Sequence, residues 1–309
     1  MDFHSLFSPE LLAASIRIAT PIILAAMGGL LCIKARIFNI ALEGFMLISS
    51  FFAIVAIQFL GGSAWIGLGA GILAGIITSL IYSYCVIKLK TDQVITSIGI
   101  NVLALGITAF LLKIIFDTSG TIRPSTLIKI ENIEIPFLVN VPFLGEVLGK
   151  HSPVVYLSFL VVIVTHLLLM KTPFGLAVQS VGENPDAART AGIKPENIRF
   201  LVITWSGALS GLAGAYLSSV LISQFVENMT QGRGFTAFIA IVFGAINPFY
   251  TFLAALLFGF SEALGIRIEI IGAGFPSTIL KMFPYVLSIL VLVVSSIVHS
   301  RRKVTMSLH

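Results

Sequence analysis

The sequence Gly182-Glu183-Asn184-Pro185-Asp186-Ala187-Ala188-Arg189-Thr190-Ala191-Gly192-Ile193 is a polar segment between two long apolar runs, at 153–170 and 200–222. Each run is close to the length of about 20 residues that a helix needs to cross the hydrocarbon core of a bilayer. The segment therefore predicts a short helix that lies in a loop between two membrane spans.

This predicted helix, over residues 184–192, has its own start and stop signals. Asn184 can cap the amino end with its side-chain oxygen, and Pro185 suits the first helical position. Asp186 and Arg189 stand where the helix dipole favours their charges, and Gly192 suits a left-handed carboxyl cap. A capped helix with an alanine face is well shaped to dock into a groove on another protein. An ordinary surface helix that fills the loop fits the same spacing.

The composition of the whole chain is that of an integral membrane protein. Hydrophobic residues make up 57% of the sequence and charged residues 11%, whereas a soluble domain averages about a quarter charged residues. We expect an all-α fold with about eight or nine transmembrane helices. A short apolar run at 235–247 predicts a half-helix or a tilted one. The long runs are 11–31, 40–60, 64–87, 94–116, 153–170, 200–222, 249–265 and 281–299.

The distribution of basic residues predicts the orientation. The loops at 32–39, 88–93 and 171–199 and the tail from 299 hold most of the lysines and arginines, which favours a cytoplasmic location for them. The amino terminus is then outside and the carboxyl terminus cytoplasmic. The residues expected on the outer side are Arg123, Lys129, Lys150, Arg233, Arg267 and Lys281. The polar stretch 117–152 becomes an extracytoplasmic loop that either seals the helix ends or contacts a soluble partner.

Two glycine patterns predict close helix packing. Gly67, Gly71 and Gly75 recur every four residues, and so do Gly207, Gly211 and Ala215. Small residues at this spacing let helix backbones approach each other in lipid. We assign both runs to packing and no catalytic role to either.

Two carboxylates fall inside apolar runs, Glu43 and Glu262. A charge at that depth costs about 2–4 kcal/mol unless it is paired or hydrated. Glu43 follows Lys34 and Arg36, and Glu262 precedes Arg267, so pairing explains each carboxylate without a transport role. Lining of a translocation path is the alternative. Asn39, Asn101 and Gln224 are the other candidates for polar contacts along such a path.

Signatures of other function classes are missing from the sequence. It has no GxxxxGK[ST] loop, no GxSxG elbow and no HExxH pair. Cys32 and Cys85 form no CxxC pair, and the five histidines do not cluster, so no metal site is expected. Gly232-Arg-Gly234 matches a loose dinucleotide pattern, but it leads into an apolar run and not from a strand to a helix.

Three segments together resemble the membrane permeases of ATP-binding-cassette (ABC) importers for nucleosides and simple sugars. They are Asn39-Ile-Ala-Leu-Glu43-Gly44-Phe-Met46-Leu, the segment 182–193, and Gly232-Arg-Gly234-Phe-Thr-Ala-Phe-Ile-Ala240 with Phe243-Gly244 and Asn247-Pro248. The broader family includes ribose and branched-chain amino acid permeases. The resemblance covers nearly the whole chain from about residue 20, which implies one permease domain over 1–309.

The resemblance implies a set of partners. Helix 184–192 would be the coupling helix, and residues 182–189 with Gly192 would dock on a cytoplasmic ABC ATPase. A second permease subunit, identical or a sister chain, and an extracytoplasmic substrate-binding protein would complete the importer. This chain would perform no catalysis and hold no cofactor. Its nucleoside-type motifs favour a nucleoside as the solute, then a simple sugar, then a branched-chain amino acid.

Two rival hypotheses remain at the level of sequence. One is a proton-coupled secondary transporter that uses Glu43 or Glu262. The other is a membrane scaffold without a solute path or a docking helix. Both differ from the importer in needing no companion ATPase.

Overall fold

A computed structural model describes residues 8–136 and 143–271 of the chain. The α-helices are α1 Pro9–Lys34, α2 Leu42–Phe59, α3 Ala64–Ser83, α4 Gln93–Phe116, α5 Leu144–Leu148, α6 Pro153–Lys171, α7 Pro173–Glu183, α8 Pro185–Thr190, α9 Pro195–Tyr216, α10 Arg233–Phe243 and α11 Pro248–Ile271. The π-helical turns Tyr84–Lys88 and Leu217–Leu221 extend α3 and α9. The strands are β1 Thr121–Ile122, β2 Ile133–Glu134, β3 Lys150–His151 and β4 Phe225–Val226.

The described part of the chain confirms the predicted all-α membrane fold. Seven of its helices are long and apolar enough to cross a membrane, and they coincide with the first seven apolar runs. The run 235–247 forms the short apolar helix α10, as expected for a half-helix. The run 281–299 lies outside the described residues.

Helix α1 is the centre of the bundle. Within its most apolar window 83% of the residues are buried, compared with 28% in α4 and 33% in α6. It packs against α9, α10 and α11, which together surround it with protein. Helices α4 and α6 instead present large apolar side chains outward, which suits contact with lipid or with another subunit.

The two glycine patterns pack against each other, as predicted. Gly75 of α3 lies against the backbone of Gly207 and Gly211 of α9. Gly71 lies against Ala215 in the same way. A β-carbon would overlap the Gly207 and Gly211 backbone at Gly75 and the Ala215 β-carbon at Gly71, so the pattern sets the close approach of α3 and α9.

The chain turns back into the bundle after α1. Arg36 takes a left-handed conformation (φ 55°) and ends the helix. Residues 35–41, which we call the inward segment, then run back along the last turns of α1, and most of their side chains are buried. The Asn39 amide lies 3.3 Å from the Ser206 hydroxyl, and Ser206 packs on Gly28 of α1. Asn39 therefore lies inside the bundle, beside the last two turns of α1.

A broken crossing joins α9 to α11. Strand β4 pairs with β1 of the loop 117–152, and the chain then returns into the bundle until α10 begins beside α2. The sequence had placed Arg233 on the outer side, and this expectation is wrong. Arg233 is partly buried within the bundle, with a side chain 13% exposed, because the chain returns before α10 starts.

The stretch 117–152 folds across the end of the bundle opposite the inward segment. The Ser125 amide donates to Gln58 at the end of α2 (2.9 Å), and Ile128 forms a bridge with Ser63 before α3. These contacts favour the interpretation that the loop seals helix ends. Residues 137–142 of the loop lie outside the described part of the chain.

An ion pair joins strands β2 and β3 of this loop, between Lys150 and Glu134. A hydrogen bond from Lys150 and its positive charge lower the pKa of the Glu134 carboxyl. Both side chains are more than half exposed, so solvent screening leaves the pair a minor contribution.

Candidate functional site

Helix α8 forms where the sequence predicted it. The Asn184 side-chain oxygen accepts hydrogen bonds from the backbone amides of Asp186 and Ala187, each at 3.1 Å. Pro185 is the first helical residue. Arg189 in the last turn pairs with Asp186 at 3.2 Å.

The carboxyl end of α8 has the predicted glycine cap. Gly192 adopts φ +81°, and its amide donates to the Arg189 carbonyl at 2.9 Å. The Ile193 amide donates to the Ala188 carbonyl at 3.0 Å. These two bonds form a Schellman motif, which stops the helix after six residues.

The exposed face of α8 differs from the predicted docking set at two positions. Glu183, Asp186, Ala187 and Arg189 are exposed, whereas Ala188 is only 3% exposed and faces the protein. Gly182, at the start of the segment, is also buried. Because buried residues do not touch a partner, Ala188 and Gly182 are not part of a contact surface.

Gly182 is the second buried residue of the predicted docking set. A β-carbon on Gly182 would overlap the carbonyl oxygen of Lys34 and approach Ala35. The glycine therefore lets α7 touch the end of α1, which is a packing role.

The second candidate site lies at the amino end of α10. The Glu43 carboxylate accepts hydrogen bonds from the backbone amides of Gly232, at 2.8 Å, and Gly234, at 2.7 Å. These amides belong to a helix amino terminus, where the helix dipole favours negative charge. The carboxylate is therefore stabilised by backbone donors from a segment about 190 residues away in the sequence.

The pairing expected for Glu43 with Lys34 or Arg36 does not form. The salt bridges found among the described residues do not include Glu43. The reason is the inward segment, which carries Glu43 away from the end of α1 and into the bundle. Its charge is balanced there by backbone amides of α10.

The Gly-Arg-Gly sequence before α10 is explained by this contact. Gly232 takes a left-handed conformation (φ +86°), which a glycine adopts without steric cost. A β-carbon on Gly234 would overlap the backbone of Glu43. The two glycines thus let the carboxylate reach the amides, and this geometry has no relation to nucleotide binding.

Arg233, between the two glycines, points to α11 and forms a salt bridge with Glu262. The predicted partner, Arg267, instead bonds the Ser8 hydroxyl at 3.0 Å and lies 3.9 Å from Glu10. Arg233 also donates to the Met229 carbonyl at 3.1 Å. The amino end of α10 is therefore held by α2 on one side and by α11 on the other.

The amide candidates have different environments. The Asn39 oxygen accepts from the Ala41 amide at 3.0 Å. Asn101 of α4 accepts from the Gly44 amide at 2.8 Å and donates to the Ile40 carbonyl at 3.2 Å. Both side chains are buried and fix the start of α2, whereas Gln224 is half-buried in the loop before β4.

The contact of Glu43 with the Gly-Arg-Gly motif was not predicted from the sequence. No periodicity links residues so far apart. The available signal was the combination of an acid inside an apolar run and two glycines that precede a short apolar run. Among the described residues, no group of three or more His, Cys, Asp or Glu is placed to bind a metal.

Comparison with known proteins identifies the family. Residues 11–294 match the family described as branched-chain amino acid transport system / permease component. The chain belongs to this permease family. The long apolar helices and the broken crossing at α10 are thus those of the membrane subunit of a transporter.

Three relatives extend this result over the full chain. The guanosine ABC transporter permease NupQ of Bacillus subtilis is 36% identical, over 94% of this chain and 93% of its own. The nucleoside ABC transporter permease NupC of Lactococcus lactis is 32% identical, over 89% and 88%. TsgC13 of Haloferax volcanii, assigned provisionally to glucose transport, is 32% identical, over 84% and 78%. This chain is a multi-pass permease subunit of an ABC importer.

Proposed function

We propose that this permease imports nucleosides and that a cytoplasmic ATPase docks on α8. Its family membership supports an ATP-driven importer over a proton-coupled carrier or a scaffold. The observation that carries the docking proposal is the form of α8. It is a short helix that is capped at both ends, and most of its residues are exposed between α7 and α9.

The contact surface for the ATPase consists of the exposed residues of the predicted docking set. They are Glu183, Asn184, Asp186, Ala187, Arg189 and Gly192. Ala188 and Gly182 support this surface from below. A salt bridge from Arg189 to Glu196 ties α8 to the first turn of α9, so a force on α8 acts directly on a membrane span.

The orientation follows from the same proposal. The end of the bundle that carries α8 also carries Arg36, Lys88 and Lys90, which we place in the cytoplasm. The loop 117–152 is then outside, where a substrate-binding protein delivers the solute. The amino terminus is outside and the carboxyl terminus is cytoplasmic.

Two exposed or half-exposed side chains, Gln224 and Glu262, remain the proposed path residues that a solute can reach. Asn39, Glu43 and Asn101 are almost completely buried, so we assign them to the wall behind the path. The path itself is completed by a second permease subunit, identical or a sister chain. The outward apolar side chains of α4 and α6 provide area for such a partner as well as for lipid.

The descriptions of NupQ and NupC as guanosine and nucleoside permeases support a nucleoside as the solute. Uptake of radiolabelled guanosine by cells that express the complete importer tests this. Competition by unlabelled nucleosides, and none by glucose or leucine, is expected. Competition by glucose alone would assign the importer to sugars.

Replacement of Ala187 by glutamate tests the docking surface. The variant is expected to insert normally but to lose ATPase co-purification and uptake, because a longer charged side chain replaces an exposed methyl group. Asn132→Glu, in the exposed outer loop, is the control for an added charge. Full ATPase association in the Ala187→Glu variant would contradict docking on α8.

A further inference from the structure

The segment 182–193 touches the end of α1, where the inward segment begins. Gly182, at the end of α7, lies against the Lys34 carbonyl and close to the Ala35 backbone. Since Gly182 has no side chain, backbone meets backbone, and little space remains for relative movement. A displacement of α7 and α8 toward the membrane therefore pushes on the beginning of the inward segment.

The inward segment is in turn bonded to two spans. The Phe38 amide donates to the Gln93 side chain of α4 at 2.6 Å, and the Ile40 amide donates to Ser97 of α4 at 3.2 Å. Asn39 donates to Ser206 of α9. A segment that is bonded along its length to neighbouring spans transmits a displacement better than a free loop does.

The far end of the inward segment leads directly to α10. Glu43, two residues after the segment, accepts the Gly232 and Gly234 amides. The Phe38 ring also meets the Phe238 ring of α10, with centroids 4.8 Å apart. The segment thus contacts the side of α10 directly through Phe38, and it is linked to the amino end of α10 through Glu43 in the first turn of α2.

We propose that the inward segment carries movement of the segment 182–193 to α10, through Gly182 at one end and Glu43 at the other. Gly182 and Phe38 are then positioning residues for transport, since neither needs to touch the solute. Docked ATPase shifts the 182–193 loop, the inward segment follows, and the half-helix that borders the path moves with it. This inference rests on the proposed docking of an ATPase on α8.

The test measures coupling in the purified complex of permease and ATPase in proteoliposomes. Gly182→Ala places a β-carbon against the Lys34 carbonyl. We expect the ATPase to remain bound and the ratio of solute transported to ATP hydrolysed to fall by about tenfold, within the usual range of coupling free energies. Gly99→Ala on α4, where a β-carbon meets nothing within 4 Å, is the matched control and should keep the wild-type ratio.

A second variant covers the case in which Gly182→Ala does not fold. Phe38→Ala removes an aromatic contact from a side chain that is 47% exposed, so the fold should tolerate it. It should lower the same ratio, with Phe110→Ala, an exposed phenylalanine of α4, as its control. A purely structural defect would lower the amount of complex and leave the ratio unchanged.

The outcomes separate the inference from the function on which it rests. If wild-type permease binds no ATPase, both are overturned. If the ATPase binds and the folded variants transport with a wild-type ratio, only the inference is overturned. A lowered ratio in Phe38→Ala, and in Gly182→Ala where that variant folds, with both controls at the wild-type value, supports it.

Discussion

Helices α8 and α10 are both short, with six and eleven residues, and they are stabilised in opposite ways. Helix α8 is capped by its own neighbours, Asn184 at the amino end and Gly192 at the carboxyl end. Helix α10 begins at Gly232, which has no capping side chain, and its amides are satisfied by Glu43 of α2. One helix is therefore locally specified and the other depends on the tertiary fold.

This difference suits the two proposed roles. A docking helix must keep its shape while it is exposed to water and to a partner, and local caps secure that. A half-helix beside a translocation path must move relative to its surroundings. Contacts with α2 and α11 through Glu43 and Glu262 are able to change as those helices move. The comparison predicts larger effects from single changes at α10 than at α8.

The largest effect is expected from Glu43→Ala. This variant leaves the Gly232 and Gly234 amides without their acceptor, at a cost of about 1–3 kcal/mol for each group that stays buried. Uptake should be lost and the melting temperature of the purified permease should fall. Glu43→Gln keeps one acceptor oxygen and should be intermediate in both measurements.

Glu183→Ala, an exposed acid on the docking segment, is the control for the loss of a carboxylate. It should keep the melting temperature of the wild type. If Glu43→Ala has the same melting temperature as Glu183→Ala and the uptake of the wild type, α10 does not depend on Glu43.

The next effect concerns the salt bridge between Arg233 and Glu262. Because Glu262 is partly exposed, with 27% of its side chain accessible, loss of one partner should cost about 1–3 kcal/mol, less than for a fully buried pair. The double variant Arg233→Met with Glu262→Met should recover most of the stability that either single variant loses. Thermal unfolding of the four proteins in detergent measures this, and strictly additive losses would show that the two residues act independently.

A smaller effect is expected at α8. Asn184→Ala removes the oxygen that caps two amides and should destabilise the helix by about 1 kcal/mol. The global melting temperature should hardly change, whereas ATPase binding should weaken severalfold. Asn184→Ser keeps a capping oxygen and should bind like the wild type. A large drop in the melting temperature for Asn184→Ala would mean that α8 is not the locally specified helix described above.

The smallest effect is expected in the loop 117–152, where Glu134 pairs with Lys150. The lowered pKa of Glu134 means that its ionised form stabilises the folded loop above the unfolded pKa, and this contribution is lost as the pH falls through the lowered pKa. The pair is exposed, so Glu134→Gln should leave the melting temperature at pH 7 unchanged within error. A clear decrease would assign the loop 117–152 a larger share of the stability.

The sequence was sufficient for features set by local chemistry. Seven of the eight long apolar runs coincide with spans in the described part of the chain, and the eighth lies outside it. The glycine spacing predicted the contact of α3 with α9, and the caps of α8 were predicted residue by residue. These features follow from length, side-chain size and hydrogen bonds within a few residues. Each can be read without knowledge of the tertiary fold.

The partners of Glu43 and Glu262 could not be predicted in this way. The nearest basic residues along the chain, Arg36 and Arg267, were the reasonable candidates for pairing. The inward turn after α1 and the broken crossing before α10 brought Gly232, Gly234 and Arg233 to these acids instead. Burial of Ala188 was equally hidden, because two adjacent alanines carry no signal for which one faces the protein.

The central claim is that Glu43 stabilises the amino end of α10, whereas α8 is stabilised by its own caps, Asn184 and Gly192. Hydrogen–deuterium exchange of the permease in nanodiscs tests it most directly, by comparing peptides that cover 227–238 and 184–194 in the wild type and in Glu43→Ala. We predict faster exchange in 227–238 and unchanged exchange in 184–194. Wild-type exchange rates in 227–238 of a folded Glu43→Ala protein would contradict the claim.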